Sequence, residues 1–327
     1  VVCLDTNPVV IDKITDQKDP TAAVIYSILL EDRFEIIFKL PQEKSLRHYT
    51  TPIKNKKVVE RIPNRLTYTL TQSNSPETLD LAQKVYDWLL RPAQKDLAQS
   101  QVKTLVFVLD SALRNIPMSV LHNGQQYLVQ QYSIASSPSL QLLDPQPLRQ
   151  KKSNALIAGL SEAQDNFSAL THVPQELEKI RLQVPSSIKL LNATFTKNGL
   201  RNTLNSAPFS VVHLATHGQF SSQAEGTFIL TWQDRLNIDE LNNLLRSKDS
   251  QPIELLVLSA CETLKGDNRA ALGLAGVAVR AGTRSTLATL WQVNDQATAR
   301  LMDKFYQALQ DQTMTKANAL RQAQLAL

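Results

Sequence analysis

The chain has two cysteines, and one of them, Cys261, stands in LVLSACETLKG (256–266), where an apolar run gives way to a polar loop. A structural thiol belongs inside such a run; a reactive one belongs at its end, fixed by the core and open to a substrate. A thiol becomes a nucleophile at neutral pH when a base or cation lies beside it. A second apolar run, VVHLATHG, ends in His217-Gly218, and a third, STLATLWQVND, ends in Asn294-Asp295. On neighbouring strands these three ends bring together a thiol, an imidazole and a carboxylate. Cys261 is then the nucleophile and His217 the proton carrier. Gly218, with no side chain in the way, offers one backbone N–H to a developing oxyanion and Cys261 offers the other. The set suits acyl transfer and calls for no cofactor.

Each residue also has a plainer reading. Free cysteines are common small core residues, so Cys261 alone decides nothing. His213, inside the same run as His217, reads as a buried packing residue. The four-residue spacing of the two histidines resembles a helical metal pair, but the segment reads as a strand and no HExxH glutamate accompanies it, so no metal is expected. Asp295 precedes the helical pattern QATARLMDKFYQAL and caps that helix or meets substrate. Glu262 meets substrate or faces water. Gly273 and Gly276 in ALGLAG allow close helix packing; they do not follow a strand in dinucleotide-binding order.

The elements that must position these residues are short, nearly unbroken apolar runs: LVFVLD (105–110), ALIAGL (155–160), IKLLNA (188–193), VVHLAT (211–216), ELLVLSA (254–260) and STLATLW (285–291). Such runs predict strands covered on both faces, as in a parallel sheet. VPQELEKIRLQV, KNGLRNTLNSA, ALGLAGVAVRAG and DQATARLMDKFYQAL read as crossover helices, giving an α/β class. In such a sheet reactive groups collect outside the carboxyl ends of the strands. Upstream, AAVIYSILLEDRFEIIFKL predicts a hairpin turning at Glu31-Asp32-Arg33, and LRHYTTPI a further strand. SPETLDLAQKVYDWLLRP predicts a helix capped by Ser75, with Pro76 first and Leu79, Ala82, Val85, Tyr86 and Leu89 on its apolar stripe. The expected divisions are a β-rich and helical part over 1–103, a segment with a proline-bearing linker over 104–153, and the main sheet over 154–327. The segment QFSSQAEGTFILTWQDRL after His217 is left as a flap or a hairpin.

Length and composition set wider bounds. The 327 residues are 43% hydrophobic and 20% charged, enough for a large core. The net charge of +5 is concentrated in Lys44, Arg47, Lys54, Lys56, Lys57, Arg61 and Arg65, read as a solvated face. No aromatics are interleaved as a single-strand groove requires, so nucleic acid is not expected as a partner. Cys3 and Cys261 make no disulfide framework, and no apolar run reaches membrane-spanning length, so a cytoplasmic setting is expected with no membrane partner. The first residues carry neither an initiator Met nor a signal-peptide pattern, as expected of a piece of a longer protein.

VVHLATHGQF, ELLVLSACET, GDNRAALGLAGVAVRAGTRSTLATLWQVND and the ending KANALRQAQLAL resemble the CHAT family, the caspase-like domains associated with TPR repeats, in its cyanobacterial type. LVFVLDSALRNIPMSVL and SSPSLQLLDPQPL extend the likeness upstream. The resemblance implies a caspase- or separase-like three-layer α/β/α sandwich and a cysteine endopeptidase. His217, the second histidine of HLATHG, matches the family's catalytic histidine, His213 does not, and Cys261 of SACET matches the nucleophile. Relatives that cut after basic residues carry an aspartate two positions before the cysteine, where this chain has Ser259. A basic-P1 pocket would then need Asp295 or Glu262. Family members usually continue past QLAL into an aromatic, proline-rich last strand or cap, and TPR repeats are absent from this sequence. The partners implied are a protein substrate and a TPR region of the same or another chain. The rival readings are a catalytically silent scaffold of the same fold and a basic nucleic-acid module around 44–65.

Overall fold

The computed structural model describes residues 19–72, 75–137, 154–219, 226–246, 253–262, 282–291, 293–311 and 313–327, with backbone only for 111, 112 and 260–262. The chain divides into two compact units, Val1–Pro145 and Gln146–Leu327. Most of the proline-bearing linker, Cys3, and the helix expected over ALGLAGVAVRAG with Gly273 and Gly276 lie outside the described residues.

In the first unit, β1 (Ala22–Leu29) and β2 (Arg33–Lys39) form the hairpin read from the sequence, with Glu31 and Asp32 in its turn. β3 (Arg47–Pro52) pairs antiparallel with β2. Then come α1 (Lys56–Leu70), α2 (Glu77–Leu89) and α3 (Gln94–Gln99). β4 (Thr104–Val108) runs parallel to β1, and after α4 (Leu128–Gln131), β5 (Ser133–Ser136) runs parallel to β4. The order is β3-β2-β1-β4-β5. Strand alternation puts Ile25, Phe34, Ile36, Phe38, Leu105 and Phe107 in one cluster with Leu66, Val85 and Leu89 of the helices.

Two details of α2 differ from the expected pattern. Pro76 already has helical angles (φ −65°, ψ −22°) and no side chain caps the helix. The Ser75 carbonyl meets the Thr78 N–H at 3.3 Å, so the cap is made by backbone. Leu79 is exposed and Leu81 takes its place on the buried stripe. The basic segment is partly neutralised: Arg47 pairs with Glu43 and Asp96, Lys56 with Glu31, and Arg65 with Glu77, while Lys44, Lys54, Lys57 and Arg61 are exposed.

The second unit runs β6 (Ala155–Gly159), α5 (Val173–Gln183), β7 (Ser187–Leu191), α6 (Lys197–Ser206), β8 (Val211–Gln219), β9 (Phe228–Thr231), β10 (Asp234–Asn237), α7 (Ile238–Leu245), β11 (Leu255–Glu262), β12 (Thr286–Ala288), α8 (Asp295–Ala308) and α9 (Lys316–Leu325). Strands β7-β6-β8-β11-β12 are mutually parallel. β8 is longer than β6, and past the end of β6 it pairs antiparallel with β9, through Gly218–Ile229 and Gln219–Phe228. The segment after His217 therefore contains a hairpin, β9–β10.

Alternate residues of these strands feed two cores. Ile157, Val211, Ala215, Leu255 and Val257 pack with Leu177 of α5 and with Met302, Phe305 and Tyr306 of α8. Leu156, Val212, Leu214, Leu256 and Leu258 pack with Leu200 of α6 and Leu241 of α7. β7 departs from the expectation of burial on both faces: among the described residues it stands at the edge of the sheet, paired only with β6, and Ile188 is exposed. Among the described residues, no helix is long and apolar enough to cross a membrane.

Candidate active site

β8 and β11 are hydrogen-bonded neighbours, and their register sets the site. Ala260 lies opposite His217, Cys261 opposite Gly218 and Glu262 opposite Gln219. Between the Leu258–Leu214 and Ala260–His217 pairs, β11 advances two residues and β8 three. This bulge breaks the alternation of β8.

The two histidines differ in their hydrogen-bond partners, although Glu176, which holds His213, also borders the cleft beside His217. His213 is fully buried, with Nε2 2.8 Å from Glu176 Oε1 and Nδ1 3.1 Å from the Tyr306 hydroxyl. Burial, and then the nearby Glu176, push the Tyr306 phenol far above its ordinary range, so it stays neutral. This is the packing role expected of His213.

His217 is 8% exposed, and its Nε2 donates to the Ser168 carbonyl at 2.8 Å. A carbonyl only accepts, so Nε2 carries the proton and Nδ1 is the ring's basic atom. Phe167 packs on the imidazole with ring centroids 4.9 Å apart. Neither Phe167 nor Ser168 was singled out by the sequence reading. The available signal was the dipeptide Asp165-Asn166, whose residue types favour a reversal with positive φ. Both are left-handed (φ 51° and 66°), and Gln164 and Phe167 exchange backbone hydrogen bonds across them at 3.2 and 2.8 Å.

A small cleft beside His217 is bordered by Val173, Glu176, Ser259, Asp295 and Thr298. Ser259 is 1% exposed and its hydroxyl has no hydrogen-bond partner among the described residues. Asn294, not Asp295, caps α8, accepting from the Ala297 N–H at 2.9 Å. Asp295 is the first helical residue, and its Oδ2 accepts from the His172 N–H at 2.6 Å and lies 3.1 Å from His172 Nδ1. Asp295 thus ties the start of α5 to the start of α8 while bordering the cleft. Gly218 has register partners on both sides, Cys261 and Ile229.

The family model of the CHAT domain matches residues 79–327. The chain belongs to the CHAT domain family. That match spans both units and contains Phe167, His217, Cys261 and Asp295. Comparison with curated proteins gives no match. Among solved structures, this CHAT chain is similar to the Arg-specific cysteine proteinase gingipain R at 13% identity, with TM-score 0.48, over 83% of this chain and 70% of that one. It is also similar to Saccharomyces cerevisiae separase, from the separase–securin complex, at 11% identity and TM-score 0.49. That likeness covers 93% of the CHAT chain but only 29% of the separase chain. At these scores neither fixes the topology, which rests on the strand pairings above.

Proposed function

We propose that the CHAT chain is a caspase-like cysteine endopeptidase with Cys261 as nucleophile and His217 as general base and acid. The observation that carries this reading is the register of β8 and β11. It sets the Cys261 backbone against Gly218, one residue from a histidine whose Nε2 proton is already committed to Ser168. Nδ1 of His217 is then the atom available for proton transfer with the thiol. Cys261 sulfur attacks the scissile carbonyl carbon, and the oxyanion is held by the backbone amides of Gly218 and Cys261. His217 protonates the leaving amine as the C–N bond breaks. It next takes a proton from water, which hydrolyses the thioester and frees the thiol.

The substrate is a segment of a partner protein laid out extended across the strand ends, held by backbone hydrogen bonds and chosen by side-chain pockets. Asp295 borders the cleft that also touches His217 and Ser259, which supports a substrate-side role for its carboxylate; Glu262 follows the nucleophile directly. A TPR region, in the same chain or another, is a further partner of this reading, and the setting is cytoplasmic.

The test is cleavage of a peptide library by the parent beside Cys261→Ala and His217→Ala. Cleavage confined to the parent supports the dyad. Cleavage that survives both substitutions removes it. A parent inert to the library and unlabelled by thiol-directed acyloxymethyl ketones turns the reading to a scaffold.

A further inference from the structure

Two contacts join the β9–β10 hairpin to the reversal that carries Phe167 and Ser168. The Gln233 N–H donates to Gln164 Oε1 at 2.7 Å, and the Arg235 guanidinium forms an ion pair with Asp165 through Nε and Oδ2. Arg235 also stacks its guanidinium 4.4 Å above the Phe228 ring. Phe228 in turn lies edge-on to Phe167 at 6.4 Å, and Phe167 lies against His217. Two routes therefore lead from Arg235 to the same imidazole: through Asp165 and the turn to the Ser168 carbonyl, and through Phe228 and Phe167 to the ring face.

We propose that Arg235 is a positioning residue for His217, holding the 164–168 turn so that the Ser168 carbonyl keeps the proton on Nε2. The inference rests on the peptidase reading for its rate effects but not for the imidazole geometry. The Asp165-Asn166 residue types favour the reversal itself, but its placement against His217 depends on support from outside the turn. Here that support comes from the hairpin that also pairs with Gly218. The bland alternative is a surface ion pair: Arg235 and Asp165 side chains are 51% and 43% exposed, and pairs so exposed add little stability. The alternatives separate cleanly, because a surface pair has no route to His217.

The experiment uses the full chain with Arg235→Ala, Arg235→Lys, Asp165→Asn and the charge-exchanged pair Arg235→Asp with Asp165→Arg. It reads melting temperature, kcat and KM on a peptide cleaved by the parent, and the imidazole 15N shifts of His217. Expected are an unchanged melting temperature, kcat lower by about 5- to 30-fold at near-constant KM in Arg235→Ala and Asp165→Asn, and partial recovery in Arg235→Lys and the exchanged pair. The His217 15N pattern should move from a single Nε2–H tautomer to a mixture in Arg235→Ala. Unchanged 15N shifts in both Arg235→Ala and Asp165→Asn overturn the proposal whether or not the chain cleaves peptides. A parent with no cleavage but a shifted tautomer in Arg235→Ala leaves Arg235 in its role and removes the peptidase reading instead.

Discussion

His213 and His217 lie on one strand four residues apart with a bulge between them; the first is held in a buried Glu176–His213–Tyr306 network, and the second meets the Ser168 carbonyl near the strand end. Their substitution should separate stability from chemistry. His213→Ala leaves the Glu176 carboxyl and the Tyr306 hydroxyl buried without a partner, a loss of about 3–5 kcal/mol. His217→Ala removes a ring that meets one carbonyl and one aromatic, and should cost on the order of 1 kcal/mol. Denaturant unfolding of the two variants checks this. Equal losses would show that His213 is not the structural histidine.

Phe167 tests how far the rate depends on the ring's orientation. Phe167→Ala removes the surface against which His217 rests, while Phe167→Tyr keeps it. We expect kcat to fall by roughly 10- to 100-fold in the alanine variant, with KM little changed, since a displaced catalytic group loses rate before it loses binding. Near-parental kcat in Phe167→Ala would show that the Ser168 carbonyl alone holds the ring.

The sequence made the main sheet legible because its strands are short apolar runs spaced by amphipathic segments. Cys261 and His217 could be placed because each closes such a run. β7 misled on burial because an apolar composition does not reveal that a strand stands at an edge, where Ile188 remains exposed. The choice between Asn294 and Asp295 as cap was missed because both residue types cap well and only the observed angles separate them. Ser168 was invisible in principle: it contributes a backbone carbonyl, which every residue has. Only the Asp165-Asn166 turn beside it left a trace.

Gly159 closes β6 hard against the β8 backbone. A Cβ built there would meet the Ala215 carbonyl oxygen at 2.7 Å and Val173 Cγ1 at 2.6 Å, and the first of these belongs to the β8 backbone and cannot swing aside. Gly159→Ala should therefore part β6 from β8 just below the site and cost about 1–3 kcal/mol. Thermal unfolding measures the loss. A variant as stable as the parent would mean that the two strands separate there at no cost.

Lys316, the first residue of α9, gives the second unit a dependence on alkaline pH. Its Nζ donates to the Glu254 carbonyl and to Ser285 Oγ, both at 2.9 Å. Burial lowers its pKa from 10.5 to about 8, with Arg284 acting in the same direction and Glu254 opposing. Between those two values the unfolded chain holds the proton and the folded chain has released it. Stability contributed by this group therefore rises with pH across that window, and below it the cost of the buried charge is fully present. Relative to Lys316→Gln, the parent should gain on the order of 1–3 kcal/mol between pH 8 and 10.5. Urea unfolding of both chains at several pH values measures the difference, and a difference that stays flat would place the ammonium in water.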